Sequence, residues 1–145
     1  MNKIIVTGGS GFIGSNLVNF LVKKNFFVIN LDKLTYSSNK YKSTLLNSKN
    51  YKLIKVDIAN KKKMIQIIKK FKPKVIFNLA AETHVDRSID GPAKFIHTNI
   101  VGTFNLLESL RFLQKKKIVP KLVHVSTDEV YGDISKGLRS NENHK

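Results

Sequence analysis

The sequence predicts a doubly wound α/β fold, in which helices cover both faces of a parallel sheet. Short runs of consecutive apolar residues, rich in Val, Ile, Leu and Phe, are typical of strands buried on both faces. These runs alternate along the chain with segments whose apolar residues recur at helical spacing. The length of 145 residues suits one domain. Strand and helix alternating within one domain give a parallel sheet with right-handed crossovers.

Five apolar runs supply the predicted strands. Most of them are apolar on consecutive residues rather than on alternate ones, so both of their faces are expected to be covered. The fifth run is expected to be a buried strand like the others. In chain order the runs are Lys3 to Val6, Phe26 to Leu31, Lys52 to Val56, Val75 to Ala81 and Leu122 to Val125.

Three segments between the strands have the spacing of helices. The first has its apolar residues from Ile13 to Leu21, and the second, from Met64 to Phe71, is ended by Pro73. The third is predicted to begin near Pro92 and to run to about Lys115. One side of this third helix carries the apolar residues Ile96, Ile100, Phe104 and Leu107.

Composition limits the class of protein. Cysteine is absent, which excludes disulfides and thiolate metal ligands. The N-terminal residues lead straight into the first apolar run without the pattern of a signal peptide. No apolar stretch approaches the length that spans a bilayer. These features predict a cytoplasmic protein with no membrane partner, and the isolated histidines predict no metal site.

The formal net charge of +16 raises the question of a nucleic-acid partner. However, lysines outnumber arginines 23 to 3 and are scattered along the whole chain. Specific recognition of phosphates and bases favours the bidentate fork of arginine, and no known nucleic-acid-binding motif accompanies the charge. We therefore expect no nucleic-acid partner, although a phosphate-bearing ligand is compatible with this charge.

A glycine-rich turn directly follows the first strand. Gly8, Gly11 and Gly14 fit a T-G-x-x-G-x-x-G pattern, and a helical segment follows them. Such a turn brings bare N–H groups and the positive end of a helix against a pyrophosphate. Asp32 closes the second strand, where a carboxylate accepts from ribose hydroxyls and repels a 2′-phosphate. The sequence thus predicts a Rossmann-like domain that binds NAD rather than NADP, although Lys33 beside the acid could weaken that repulsion.

Polar residues also follow the other predicted strands. Asp57 ends the third strand, Glu82 follows the fourth, and the adjacent acids Asp128 and Glu129 follow the fifth. Ligands of open α/β sheets lie beyond the carboxyl ends of the strands. Folding alone gives no reason to place two like charges side by side there, because they repel each other. A reaction that needs an acid and a base on adjacent atoms does give one.

Four stretches resemble the extended short-chain dehydrogenases that act on nucleotide sugars, and among them the sugar 4,6-dehydratases. They are "TGGSGFIGSN" (7–16), "LDKLTYSSN" (31–39), "LAAETHVDRSIDGPAKFIHTNIVGTFNLLE" (79–108) and "HVSTDEVYGD" (124–133). The resemblance implies a lyase that uses NAD as an internal, recycled oxidant on dTDP-glucose. The sugar is oxidised at C4, loses water across C5 and C6, and recovers the hydride at C6. It also implies a homodimer for the full-length protein.

The resemblance assigns roles to individual residues. It makes Glu129 the base and Asp128 the acid of the dehydration. Substrate contacts are implied for Thr83 and Thr127. Cofactor contacts are implied for Gly8, Gly11, Phe12, Ile13, Gly14, Asp32, Lys33, Leu34, Thr35, Asp57, Ile58, Ala80, Ala81, Glu82, Thr83 and Thr98. For His84 and Arg87, which belong to the motif, solvent or interface contacts are as plausible as a ligand role.

The chain departs from the family in one catalytic element. The resemblance implies a Tyr-x-x-x-Lys motif downstream of the fifth strand, but no tyrosine follows Tyr131. Two other pairs have the spacing. Tyr36 and Lys40 lie in the expected ribose loop, and Tyr51 and Lys55 lie in a strand, where four residues span about 13 Å. Neither pair is expected to be catalytic.

The expected organisation is an incomplete NAD-binding domain over residues 1–133 and a polar tail over residues 134–145 at a truncation point. The missing elements are expected to leave one side of the sheet uncovered. Within the fold, the polar segment from Thr35 to Asn50 predicts a loop with a short helix.

Several alternatives remain open from the sequence. The same chemistry on UDP-glucose is one, since the contacts to the nucleotide base are expected outside this chain. A nucleotide-sugar 4-epimerase is another, although the pair Asp128 and Glu129 would have no task in it. A non-catalytic NAD-binding module and a basic nucleic-acid binder are alternatives from other classes.

Overall fold

Five parallel strands form one sheet in the computed structural model, which describes residues 2–38, 48–134, 137 and 139–143. The order across the sheet is β3-β2-β1-β4-β5, so the predicted fold class is confirmed. β1 is the central strand and pairs with both β2 and β4. The strands are β1 (Lys3–Thr7), β2 (Phe27–Asp32), β3 (Tyr51–Lys55), β4 (Val75–Asn78) and β5 (Lys121–His124).

The helices connect these strands across the two faces of the sheet. The predicted first and second helices are present as α1 (Phe12–Lys23) and α2 (Lys61–Phe71). Asn60 caps α2 by accepting a hydrogen bond from the Lys63 N–H. The remaining helical elements are α3 (Val85–Asp90), α4 (Pro92–Phe95), a π-helical segment (Ile96–Gly102), α5 (Thr103–Gln114) and a 3-10 turn (Asp128–Tyr131).

The third predicted helix differs from its prediction in two respects. It begins at Pro92 as expected, but a π-helical segment interrupts it before α5. Its predicted apolar side is exposed, because the helix packs through another face. The buried face carries Gly102, Leu106, Ser109 and Leu113, whereas Ile96, Ile100, Phe104 and Leu107 are 51%, 64%, 59% and 48% exposed.

Two apolar layers cover the sheet. On one face, Ile5 and Ile29 pack with residues of α2 and α5, including Met64 and Leu106. On the other face, Val6 and Val28 pack with Val18 and Leu21 of α1. Both layers meet at β1 and β2, whose central residues are fully buried. The core is therefore centred on the two strands that carry the glycine-rich turn and Asp32.

The expectation that the fifth strand is buried is wrong. In the described part of the chain β5 is an edge strand that pairs with β4 alone. Leu122 and Val123 are half-buried, and Val125, beyond the end of the strand, is 49% exposed. Strands at a sheet edge lose cover on one side, which the apolar run itself does not reveal.

The sheet order places a crevice at the carboxyl edge. The chain runs from β1 outward to β2 and β3, and then returns to the other side of β1 for β4 and β5. At such a switch point the loops after β1 and β4 diverge and leave room for a ligand.

Two expectations lie partly outside the described residues. The loop with a short helix predicted for Thr35 to Asn50 covers residues 39–47, and the tail over residues 134–145 includes 135, 136, 138, 144 and 145. Among the residues that the structure does describe, none of the helices is both long and apolar enough to span a bilayer.

Candidate functional site

The glycine-rich turn lies where β1 meets α1, at the switch point. Gly8 has a φ of 65°, a left-handed conformation that favours glycine. A Cβ on Gly8 would lie 2.8 Å from the Ala80 backbone, so the turn and the loop after β4 touch without side chains between them. The Gly8 N–H donates to the Leu31 carbonyl at 2.8 Å. A Cβ on Gly14 would overlap the Gly8 carbonyl oxygen, which explains the need for glycine at this second position.

The N-terminus of α1 is open to an anion. Gly11 precedes the helix, no side chain caps it, and its first turn contains no acidic residue. The N–H groups of the first turn and the positive end of the helix dipole are therefore not neutralised by an acidic side chain of this turn. Phe12 and Ile13 begin this helix and are 82% and 63% exposed despite being apolar.

Asp32 is a buried carboxylate at the end of β2. Its Oδ2 accepts from the Ser10 N–H at 2.8 Å, and its Oδ1 accepts from the Leu34 N–H at 2.7 Å and the Ser38 hydroxyl at 3.2 Å. The side chain thus fixes both the glycine-rich turn and its own loop. A carboxylate offers roughly four acceptor positions, so three donors leave capacity for a ribose hydroxyl.

Asp57 carries the neighbouring negative charge. Lys33 Nζ lies 2.8 Å from its Oδ2, and His97 Nε2 lies 3.4 Å from the same atom. The Ala59 N–H donates to its Oδ1 at 2.9 Å. Partial burial acts to raise the pKa of the Asp57 carboxyl, but the Lys33 and Ala59 hydrogen bonds and the charges of Lys33 and His97 lower it below its ordinary value. The Lys33 ammonium is therefore directed to Asp57 rather than to Asp32.

The loop after β4 forms the opposite wall. Asn99 of the π-helical segment accepts from the Glu82 N–H and donates to the Glu82 carbonyl, both at 2.9 Å. The Ala80 N–H donates to the Thr7 hydroxyl at 3.2 Å. These bonds fix the loop backbone at two points. Asn99 was not predicted as a site residue, because it lies in a helical segment and the predicted site residues were sought mainly at the ends of strands.

A depression between these walls brings together most of the predicted cofactor residues. The predicted residues that line it are Gly8, Gly11, Asp32, Lys33, Thr35, Asp57, Ile58, Ala80, Ala81, Glu82 and Thr98. Ser37, Ser38 and Leu79 line it as well. Of the other predicted cofactor residues, Phe12, Ile13 and Gly14 form the start of α1, and Leu34 lies on the loop of Asp32 with a φ of 58°. The residues present fit a dinucleotide, since an open helix N-terminus and a buried acid face one depression.

A second depression adjoins the first and contains both predicted substrate residues. Thr83 and Thr127 line it together with Asn99, Thr103 and His124. Ala80, Ala81 and Glu82 line both depressions, so the loop after β4 is their shared wall. A ligand in the second depression would therefore contact the same loop as a ligand in the first.

Asp128 and Glu129 lie just beyond this second depression, in the 3-10 turn that follows β5. Both are exposed. The Glu129 N–H donates to the Thr127 hydroxyl at 3.3 Å, and that hydroxyl also lies 3.3 Å from Asp128 Oδ1. Thr127 thus caps the turn, contacts the Asp128 carboxylate and also lines the second depression.

A hydrogen-bonded relay links three strands at their carboxyl ends. Thr7, Asn78 and His124 occupy one register position on β1, β4 and β5. The Thr7 hydroxyl donates to Asn78 Oδ1, and Asn78 Nδ2 lies 3.0 Å from His124 Nδ1. Because an amide nitrogen only donates, a neutral His124 accepts at Nδ1 and carries its proton on Nε2. Sequence reasoning treated His124 as isolated, since the register was not yet fixed.

Of the two tyrosine–lysine pairs that are not expected to be catalytic, the structure describes both residues only of Tyr51 and Lys55, which lie in β3. The Tyr51 hydroxyl accepts from Asn30 Nδ2 at 3.0 Å, and burial raises the pKa of Tyr51, with the Asn30 hydrogen bond opposing and the Asp32 charge adding to the rise. A catalytic tyrosine base needs a lowered pKa. Lys40 lies outside the described residues. No group of three or more potential metal ligands occurs in the part of the chain that the structure describes.

Comparison with known proteins gives consistent matches. The family model described as GDP-mannose 4,6 dehydratase matches residues 5–145. A dTDP-glucose 4,6-dehydratase of Haemophilus influenzae is 46% identical over 142 residues, which are 93% of this chain and 42% of the relative. The corresponding Escherichia coli enzyme is 47% identical over 139 residues, 91% of this chain and 38% of the relative. The chain thus spans about 40% of the length of these curated relatives.

Solved structures of a dehydratase and of an epimerase also match this chain. The dTDP-glucose 4,6-dehydratase of Bacillus anthracis, in complex with NAD, matches with a TM-score of 0.82 and 39% identity over 100% of this chain and 44% of that chain. The UDP-glucose 4-epimerase of Thermus thermophilus, also with NAD, matches with a TM-score of 0.80 and 29% identity over 98% and 43%.

Proposed function

The chain belongs to the family described as GDP-mannose 4,6 dehydratase, and on that premise we propose that it carries the NAD-binding residues of a dTDP-glucose 4,6-dehydratase. The observation that carries the proposal is the first depression, where the glycine-rich turn, Asp32 and the loop after β4 meet. Relatives that are 46% and 47% identical carry the name of this enzyme. The product would be dTDP-4-dehydro-6-deoxyglucose, with water released.

In this proposal the cofactor is held by its adenosine and pyrophosphate. The N-terminus of α1 binds the pyrophosphate, Asp32 accepts from the adenosine ribose, and Asp57 and Ile58 border the adenine. Ala80 to Thr83 border the nicotinamide, and Thr98 also contacts the cofactor. When bound, NAD would supply a two-electron acceptor for the hydride of C4 that returns it to C6.

The chain's own residues handle protons on the sugar. A C4 ketone makes the C5 proton acidic, and Glu129 removes it while Asp128 protonates the C6 hydroxyl as it leaves as water. Glu129 then returns its proton to C5 when C6 recovers the hydride. Thr83 and Thr127 bind the sugar, which agrees with their position in one depression. The C4 hydroxyl proton needs a further base, which the family pattern assigns to a Tyr-x-x-x-Lys motif downstream of the fifth strand, and no tyrosine follows Tyr131 in this sequence.

The nearest alternatives are the same dehydration of UDP-glucose and a 4-epimerase. The match to a UDP-glucose 4-epimerase at 29% identity is the reason to consider a 4-epimerase. Epimerisation requires no elimination across C5 and C6, so it leaves Asp128 and Glu129 without a task. The pair therefore favours the dehydratase.

The full-length protein is proposed to be a homodimer. Ile96, Ile100, Phe104 and Leu107 form an exposed apolar stripe along the π-helical segment and α5, and exposed stripes of this kind mark contact surfaces. We further propose a cytoplasmic location without membrane or nucleic-acid partners, on the compositional grounds given above.

Calorimetric titration of the chain with NAD, NADP and ADP-ribose tests the cofactor assignment. NAD and ADP-ribose should bind about equally, because the adenosine and pyrophosphate contacts carry the affinity, and NADP should bind more weakly. Tighter binding of NADP than NAD would overturn the role of Asp32. We also expect no dehydration of dTDP-glucose by these 145 residues alone, and measurable turnover would contradict the need for the further base.

A further inference from the structure

An aromatic side chain and a guanidinium join the two walls of the first depression. The Arg87 guanidinium carbon lies 3.8 Å from the centroid of the Tyr36 ring, within the range of a cation–π contact. The His84 ring centroid lies 5.9 Å from the same ring. The Tyr36 hydroxyl lies 3.4 Å from Glu82 Oε2. Tyr36 comes from the loop after β2, whereas its three contacts come from the loop after β4 and from α3.

Both segments are fixed close to this contact. On one side, the Asp32 carboxylate accepts from the Leu34 N–H and the Ser38 hydroxyl, so Tyr36 lies between two anchored positions. On the other side, Asn99 holds the Glu82 backbone through two hydrogen bonds. A contact between two anchored segments resists their separation more than a contact between free side chains does.

This contact differs from the other cation–π pairs of the described residues. Those are Lys24 with Phe20, Lys70 with Phe71 and Lys116 with Phe112, at 5.8, 5.8 and 5.0 Å. Each of them lies within one helix or its end and can strengthen that helix alone. The Tyr36–Arg87 pair is closer and links the loop after β2 to α3, which directly follows the loop after β4. Thr35 and Glu82, from the two loops, both line the first depression.

We propose that Tyr36 and Arg87 form a clasp across the first depression that slows the release of NAD. The inference rests on the proposed function, since it assumes that the depression holds this cofactor. Tyr36 and Arg87 act as positioning residues by keeping the ribose loop against the loop after β4. An enzyme that recycles its own hydride acceptor gains from such retention, because the same bound cofactor must accept and return the hydride.

Release of NADH from the chain measures the clasp directly. NADH is bound first and then displaced by excess NAD, and the loss of NADH fluorescence gives the dissociation rate. Tyr36→Ala and Arg87→Ala should each release NADH about two- to fivefold faster, the size expected of an exposed cation–π contact. The double variant should be no faster than either single variant, because both remove one shared contact. Tyr36→Phe should stay close to wild type, since it keeps the ring.

Matched controls come from the pair Phe112 and Lys116, which is also exposed and lies at the end of α5 away from the depression. Phe112→Ala and Lys116→Ala should leave the release rate unchanged. Additive effects of Tyr36→Ala and Arg87→Ala, or an effect of Tyr36→Ala alone, would overturn the clasp, because a ring in direct contact with NADH would act without Arg87.

Hydrogen exchange of the chain without cofactor is a second test of the contact between Tyr36 and Arg87. Arg87→Ala should speed exchange of backbone amides in residues 33–38 as well as near its own position, because the clasp connects both walls. Unchanged exchange in residues 33–38 would contradict the clasp even if NADH release cannot be followed. A wild-type chain that binds neither NAD nor NADH would instead overturn the proposed function, and the exchange measurement would still decide whether the two walls are joined.

Discussion

Two corners of the sheet carry carboxylates, and they are built differently. At the end of β2, Asp32 is 8% exposed and accepts hydrogen bonds from Ser10, Leu34 and Ser38. Beyond β5, Asp128 and Glu129 are exposed, and Thr127 caps their turn by accepting a hydrogen bond from the Glu129 N–H. The carboxylate of the first corner is buried and held by three hydrogen bonds, whereas both acids of the second corner are exposed. The comparison predicts that the proposed cofactor binding and the proposed sugar chemistry depend on separable parts of this molecule.

The largest expected effect comes from the exposed corner. We would test it in a chimera in which this chain replaces the matching 42% of the Haemophilus influenzae relative. Glu129→Gln should lower turnover of dTDP-glucose by about 10²- to 10⁴-fold, the usual contribution of a positioned base. Oxidation at C4 remains possible without this base, so NADH absorbance should rise on mixing while no product forms.

The same chimera with Glu129 intact is the reference for this experiment, and NAD binding by the variant is its control. If binding is unchanged while turnover is lost, the two corners are separable as the comparison predicts. Normal turnover by Glu129→Gln would show that another group removes the C5 proton.

The next effect comes from the buried corner. Asp32→Ala should weaken NAD binding by roughly 10- to 100-fold, as expected for the loss of hydrogen bonds to a charged group. It should also reduce the preference for NAD over NADP, because the charge that repels a 2′-phosphate is gone. Calorimetry with both cofactors measures the two changes together.

Lys33→Ala serves as the matched variant for this measurement. The Lys33 ammonium lies 2.8 Å from Asp57 Oδ2, so its removal should leave the ratio of NAD to NADP affinities close to wild type. A marked gain in discrimination against NADP on this substitution would mean that Lys33 does weaken the repulsion exerted by Asp32.

A substitution in the relay of Thr7, Asn78 and His124 should have a smaller effect than the substitutions at the two corners. Asn78→Ala removes the acceptor of the Thr7 hydroxyl and the partner of His124 Nδ1. Loss of this buried amide should lower the free energy of unfolding by about 1–3 kcal/mol, measured by urea denaturation. Nitrogen chemical shifts should show His124 protonated on Nε2 in the wild type and a mixture of tautomers in the variant.

Asn99→Ala provides the comparison for Asn78→Ala. It releases the Glu82 backbone, so it should weaken NAD binding, but it should leave the His124 tautomer unchanged. A wild-type His124 protonated on Nδ1 would contradict the donor and acceptor assignments of the relay.

The sequence predicted the parts of the fold that depend on local pattern. The glycine-rich turn and Asp32 could be placed because their signals lie within a few residues of a strand end. The apolar side of the third helix was misjudged, because its spacing does not tell which of two faces meets α2. Gly102 lies on the buried face against Ile58, where a Cβ would come within 2.8 Å of that side chain. Contacts of this kind join distant positions and appear only once the strands are in register.

The relay and the Asn99 contacts could not be predicted from the sequence for the same reason. Thr7, Asn78 and His124 share a register position, and register is fixed by packing of both sheet faces rather than by any one strand. The roles of Asp128 and Glu129, by contrast, come from the family resemblance. Their exposed position neither supports nor contradicts those roles, so they remain predictions.

The smallest expected effect lies outside both corners, at an ion-pair cluster between α2 and α5. Hydrogen bonds from Arg111 and then Lys61 lower the pKa of Glu108 from 4.5 to about 2. Because the pKa of the folded state is depressed, the stability contributed by Glu108 is present above pH 4.5 and is lost as the pH falls towards about 2.

Glu108→Gln should therefore destabilise the chain slightly at pH 7 and have less effect near pH 2, as measured by urea denaturation. Arg111→Gln should remove more of this pH dependence than Lys61→Gln, since Arg111 makes two hydrogen bonds to the carboxylate. NAD binding at pH 7 should be unchanged in all three variants, and a change would mean that the buried corner depends on the packing of α2 against α5.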